Sequence, residues 1–114
     1  MGVGRKRLGA VGETLAALHY ERLGFAILDR NWRCASGELD LVVGLDGLVV
    51  FVEVKSRSSA AFGHPAEAVT RDKQRRIRRL AVQWLAAHEV RAATIRFDVV
   101  AVLGGRVEVV PDAF

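Results

Sequence analysis

The dipeptide Asp46-Gly47 stands between two alternating runs, residues 38–45 and 48–56, and constrains the fold more than any other feature of the chain. An Asp-Gly pair between apolar alternations closes a two-residue β-hairpin, because both positions accept positive φ. Such a turn sets Leu45 opposite Leu48, Val43 opposite Val50 and Leu41 opposite Val52. Side chains alternate along each strand, so Leu39, Leu41, Val43, Leu48, Val50, Val52 and Val54 share one face, which must pack on a core. The other face is apolar near the turn, with Val42, Val49 and Phe51, and ionic at the open end. There the same register sets Asp40 across from Glu53 and Glu38 across from Lys55.

Opposed side chains on neighbouring strands lie ~5 Å apart at Cβ, and like charges so placed are destabilising. A divalent cation between Asp40 and Glu53 resolves that conflict. Two carboxylates with waters and a phosphate oxygen make the hard-oxygen set that Mg²⁺ favours, Mn²⁺ being the alternative. Lys55 then lies beside the metal, placed to orient an attacking hydroxide and offset charge on a phosphorane-like transition state. The chemistry this predicts is metal-assisted phosphodiester hydrolysis.

The remaining periodicities give helix, three strands, helix, two strands. Leu8, Val11, Leu15 and Leu18 recur at helical spacing, predicting a helix over 8–23 with these residues inward and Gly24 closing it. A first strand follows over 25–32. The stripe Val69, Lys73, Ile77, Leu80, Ala81, Trp84, Leu85 marks a long amphipathic helix that starts at Pro65 or Val69 and ends at His88. A fourth strand over 94–103 turns through Gly104-Gly105 into a fifth over 106–110. Strands joined by one helical crossover predict an α/β fold with a central mixed sheet flanked by helices. The 114 residues fit one domain, 1–114, and 51% hydrophobic content supplies its core. Trp32 and Trp84 are assigned to that core.

No apolar run approaches the ~18 residues of a membrane span. Arg5-Lys6-Arg7 precedes too short an apolar stretch for a signal peptide, which predicts a cytoplasmic protein. Cys34, the single cysteine, excludes an internal disulfide and reads as incidental. Seventeen basic against thirteen acidic residues give a net charge of +4, which favours polyanionic partners and above all nucleic acid. The charge concentrates in Arg71, Lys73, Arg75, Arg76, Arg78 and Arg79, and with Arg57 these are the candidate nucleic-acid-binding residues. Lys73 lies on the apolar stripe, from which it either reaches a phosphate or snorkels past Ile77.

Asp40 followed by Glu53-Val54-Lys55 resembles the signature of the PD-(D/E)xK nuclease superfamily, with Glu38-Leu39 standing before the aspartate where the superfamily name has proline. Gly12-Glu13, Arg30-Asn31, "GELDL", "FVEVKSR", "FGHP" and "RFDVV" are together similar to the YraN-like bacterial family within it. The resemblance implies a restriction-endonuclease-like core and a relation to archaeal Holliday-junction resolvases. It also implies that Glu13 completes an acidic metal set with Asp40 and Glu53, with Lys55 assisting the nucleophile. Branched DNA is the substrate expected by that analogy, and cutting both strands of a junction calls for a twofold dimer.

Other readings stand beside these. Glutamate and lysine often alternate on solvated strand faces, and Glu13 suits the first turn of a helix without any role in chemistry. Arg96 and Asp98 share a strand face, where an ion pair is the default, and His64 before Pro65 shapes a turn more readily than it transfers a proton. The alternatives to an endonuclease are a non-catalytic nucleic-acid-binding module on the same fold and a protein-interaction subunit using the sheet edge.

Overall fold

The computed structural model describes residues 2–57 and 69–114, with the side chains of residues 2–9 and of Arg57 outside that description. His64, Pro65 and the Arg57 side chain, each given a role above, therefore lie outside the described residues.

The hairpin forms in the predicted register. Strand β2 (Gly37–Leu45) pairs antiparallel with β3 (Leu48–Arg57), Leu45 with Leu48 through Leu41 with Val52. Asp46 and Gly47 have φ of 48° and 81°, the two consecutive left-handed positions that a hairpin of this twist requires. Strand β1 (Ala26–Cys34) adds antiparallel to β2, its register shifted between Ile27 and Asp29. Strand β4 (Thr94–Leu103) runs parallel to β3, and β5 (Arg106–Val110) closes the far edge antiparallel to β4. The result is the expected mixed sheet, five strands in the order β1-β2-β3-β4-β5.

Helix α1 (Gly2–Arg22) and helix α2 (Arg71–Ala87) cover opposite faces. Thr70 caps α2, its Oγ1 accepting the Lys73 backbone N–H at 3.3 Å, so the helix starts just beyond Val69 rather than at Pro65. Ile77, Leu80, Ala81 and Trp84 form its buried side, which packs on Val42, Val49, Phe51 and Phe97. Each large side chain so buried contributes roughly 2 kcal/mol. Trp84 is fully buried as expected, whereas Trp32 is half-buried against the same cluster. Leu39, predicted to share a face with Leu41, also joins this α2-side cluster. It pairs across β1–β2 with Trp32, which turns it to that side where β2 leaves β3.

On the other face α1 departs from its predicted orientation. Among its described side chains the buried residues are Gly12, Ala16, Ala17 and Tyr20, while Val11 and Leu18 are 56% and 40% exposed, Leu15 is half-buried and Leu8 lies outside the description. Close approach of helix to sheet selects small side chains. At Gly12 any Cβ would collide with the Ser56 hydroxyl of β3. A bulkier residue there must push α1 off the sheet, so Gly12→Val is expected to cost about 2 kcal/mol. A fall in the urea midpoint at unchanged m-value checks this; an unchanged midpoint refutes it.

Candidate functional site

The ladder between β2 and β3 ends at Leu41 and Val52, one step short of the acids. Beyond it the Asp40 carboxylate replaces the missing backbone partner, its Oδ2 accepting the Val54 N–H at 2.9 Å. A short side chain that bonds backbone in this way competes with the regular ladder, and the two strands part where it does so. The direct opposition predicted for Asp40 and Glu53 is thus replaced by a splayed end, yet the two carboxyl groups still meet. Burial in the first place, then the Glu53 charge, the Glu13 charge and last a hydrogen bond with Glu53 raise Asp40 from an ordinary value near 3.8 to about 7, against the Val54 N–H, which lowers it. The proton that Asp40 so retains lies in its hydrogen bond with Glu53.

The second predicted opposition, Glu38 with Lys55, is not formed. Glu38 turns toward β1 and pairs with Arg33 Nε at 3.4 Å, while Lys55 Nζ pairs with Glu53 at 3.2 Å. Past the point where β2 and β3 separate, each acid takes the nearest cation on its own side. Burial weighs against the Lys55 ammonium, but Glu53, the neighbouring Lys73 amine and Asp40 together hold its pKa above the ordinary lysine value. Lys73 moves the other way, lowered first by its hydrogen bond with Lys55 and then by repulsion from it. Two amines from α2 and β3 therefore face each other beside two carboxyls. Lys73 lines a cleft of about 240 Å³ with Glu38, Asp40, Glu53 and Arg76, floored by Ile77 and Leu80.

The basic helix divides by the direction of its side chains. Lys73 and Arg76, one turn apart, border the cleft. Arg75 is paired with Asp72 at 3.5 Å, and Arg78 lies over the rings of Phe97 and Phe114, 4.8 and 5.6 Å from their centroids. Arg71 and Arg79 are exposed on the outer side. The six cations thus form no single footprint.

Glu13 belongs to the buried side of α1 only in part, and its charge reaches Asp40 without its side chain joining the acids. Among the described residues no group of three or more His, Cys, Asp and Glu side chains is gathered closely enough to hold a metal, so the three-acid set of Glu13, Asp40 and Glu53 is not assembled. The packing of Ala16, Ala17 and Tyr20 keeps α1 on the opposite face of the sheet from the cleft. The two remaining carboxyls still suit a hard divalent cation, since Mg²⁺ is commonly held by one or two protein carboxylates and completes its shell with water and phosphate oxygens. Asp40 and Glu53 are the residues that would hold it.

Sequence reasoning placed Arg96 and Asp98 in an ion pair, and they form a bidentate one, 2.8 and 2.9 Å. It did not find that Asp98 is wholly buried, or that Tyr20 Oη donates to it at 2.7 Å and the Asp112 N–H at 2.9 Å. Burial and this bond raise the Tyr20 pKa. Nor did it find the link between Asp29 and α2, where Asp29 Oδ2 accepts Trp84 Nε1–H at 2.9 Å and lies 3.3 Å from His88 Nε2. Tyr20 to Asp98 spans 78 positions, beyond the reach of any local pattern.

Fold and cleft together define a mixed α/β domain with a carboxyl pair and an amine pair at the splayed end of its central strands. The chain belongs to the family described as Uncharacterised protein family UPF0102, which it matches over residues 12–102. It is 57% identical to a UPF0102 protein of Beutenbergia cavernae over 87% of this chain and 84% of that one. It is 54% identical to a UPF0102 protein of Mycolicibacterium smegmatis over 90% and 84%, and 50% identical to one of Rhodococcus opacus over 94% and 95%. The match begins at Gly12, the α1 position that faces Ser56 of β3. Among the described residues no helix is long and apolar enough to cross a membrane.

Proposed function

We propose that this chain is a nucleic-acid-binding, metal-dependent endonuclease of the PD-(D/E)xK type on a restriction-endonuclease-like core. The observation that carries the reading is the Asp40–Glu53 carboxyl pair, held together against its own repulsion beside Lys55 and Lys73. A carboxyl pushed up by burial together with a specific charged neighbour, in a cleft, is the arrangement that catalytic and cation-holding sites favour. Asp40 and Glu53 hold Mg²⁺ or Mn²⁺, which when bound supplies Lewis-acid activation of the scissile phosphate and a nucleophilic water. Lys55, fixed by Glu53, orients that water, and Lys73 with Arg76 receives the phosphate oxygens from the α2 side. Branched DNA is the favoured substrate, and the cytoplasm the favoured location.

The second reading, a binding module without catalysis, has one observation on its side: among the described residues no three acids are gathered as a metal-holding set, Glu13 standing apart from Asp40 and Glu53. Incubation with junction, flap, single-stranded and duplex DNA in Mg²⁺, Mn²⁺ or EDTA decides between them. Metal-dependent products from the wild type, reduced at least ~100-fold in Glu53→Ala and Lys55→Ala while binding persists, are expected. Equal products from both variants point to a contaminant and overturn the enzymatic reading.

A further inference from the structure

The cleft does not end at the acids. Glu38 and Arg76 form a wall shared with a second, open groove of about 530 Å³ beneath the β1–β2 turn, bordered by Arg33, Cys34, Ser36 and Gly37. We propose that this groove carries an unpaired polynucleotide strand into the Asp40–Glu53 cleft, with Arg33 and Arg76 holding its phosphates. The inference rests on the cleft being a phosphodiester site and adds the direction of approach and the kind of strand.

Arg76 lines both spaces, so a chain of phosphates passing from one to the other must run by its guanidinium. Arg33 is 78% exposed at its side chain and, among the described residues, is paired with Glu38 at 3.4 Å, with partial exposure on both sides. An ion pair so hydrated is weak, and a phosphodiester offers the guanidinium a bidentate acceptor in exchange. Gly37 shapes the turn at its border. It has a φ of +142°, a backbone conformation that side-chain-bearing residues rarely adopt, and a Cβ there would rest against Arg76 Cδ and Leu80 Cδ1 at 3.4 Å. The other described arginines of α2 are less suited to the task, since Arg78 is held over the two phenylalanines and Arg71, Arg75 and Arg79 line neither space.

Size and lining narrow the ligand. A groove of about 530 Å³ is on the scale of a small-molecule site, so it takes in the backbone of one strand, whereas a duplex would lie across its open mouth. No aromatic side chain borders it among the described residues, so the contacts are to the backbone and carry no base preference.

The test is fluorescence anisotropy in EDTA, so that binding is read without cleavage, using a labelled oligothymidine and a blunt duplex of equal length over a salt series. Arg33→Ala is expected to raise the Kd for the single strand several-fold and to lower the salt slope by ~0.7 per lost contact, with the duplex unaffected. Glu38→Gln, which frees Arg33, is expected to lower the same Kd, a gain that damage to the fold does not produce. If both variants bind as the wild type does while Arg71→Ala/Arg79→Ala abolishes binding, the strand follows the outer face of α2 and the groove assignment is overturned, with nucleic-acid binding intact. Failure of the wild type to bind either oligonucleotide overturns the groove and the phosphodiester reading together.

Discussion

Replacing Asp98 by alanine is expected to destabilise the protein by about 4 kcal/mol, the cost of breaking a buried ion pair from one side. The carboxylate is wholly buried and accepts from Arg96 twice, from Tyr20 Oη and from the Asp112 N–H, so it ties α1, β4 and the C-terminal segment to one point. Its removal strands the Tyr20 hydroxyl, 1% exposed at the residue level, and the Asp112 amide, and leaves Arg96 without its counter-charge. Each orphaned donor adds its own desolvation cost. For a chain of this length the melting temperature should fall by ~15 °C. Tyr20→Phe, which deletes one donor and keeps the ring packed on Phe25, should cost only about 1 kcal/mol. Calorimetry of the two variants and their double mutant checks the account: strictly additive losses would mean that Tyr20 and Asp98 do not act as one network. Because Asp98 faces the α1 side of the sheet and the cleft opens on the other, the variant should keep its affinity for nucleic acid below its melting point.

The turns and strands that the sequence states in local terms were legible. Asp46-Gly47 and Gly104-Gly105 fix register by backbone sterics alone, and β2 to β5 follow with their boundaries within a residue. Helix α1 was legible as a helix but not in its orientation. Periodicity weighs hydrophobicity, whereas the contact with β3 is decided by size, so Gly12, Ala16 and Ala17 face inward and the larger Val11 and Leu18 outward. Strand β1 was read two residues short because Ala35-Ser36 carries no strong turn signal, although Cys34 pairs with Gly37 across it.

The site was legible as a set of residues and less so as geometry. Counting register back from the turn assumes that the ladder continues, and Asp40 itself ends it by taking the Val54 N–H. From there Glu38 and Lys55 find different partners, and the acid pair survives through side-chain contact rather than strand pairing. The clustering of charge in residues 71–79 reads as a footprint, with Lys73 on the apolar stripe and the arginines mainly on the other faces of the helix, and their individual partners leave no local signal. Only Lys73 and Arg76 of the six border the cleft. The contribution of Arg33 had no signal in the sequence, since it depends on β1 lying beside β2 at the ionic end.

Asp40→Asn is expected to stabilise the folded protein at alkaline pH while abolishing whatever the cleft does with a cation. The wild-type carboxyl is pushed up to about 7 in the fold from an ordinary value near 3.8, chiefly by burial and next by Glu53. The native state therefore binds this proton more tightly than the unfolded chain does. The associated stability is fully present below about pH 4 and is lost as pH rises through about 7. The full shift corresponds to ~4 kcal/mol, which water in the open cleft reduces to roughly 2 kcal/mol. An asparagine keeps the acceptor for the Val54 N–H and offers Glu53 an amide donor in place of the shared proton. At pH 8 the variant should melt about 7 °C above the wild type, and near pH 4 the two should coincide. Mg²⁺ should close the gap from the other side, raising the wild-type melting point at pH 8 by mass action and leaving Asp40→Asn unmoved. Melting curves that coincide at pH 8 would show that Asp40 and Glu53 do not strain one another. With that result the physical ground for a cation between them would be gone.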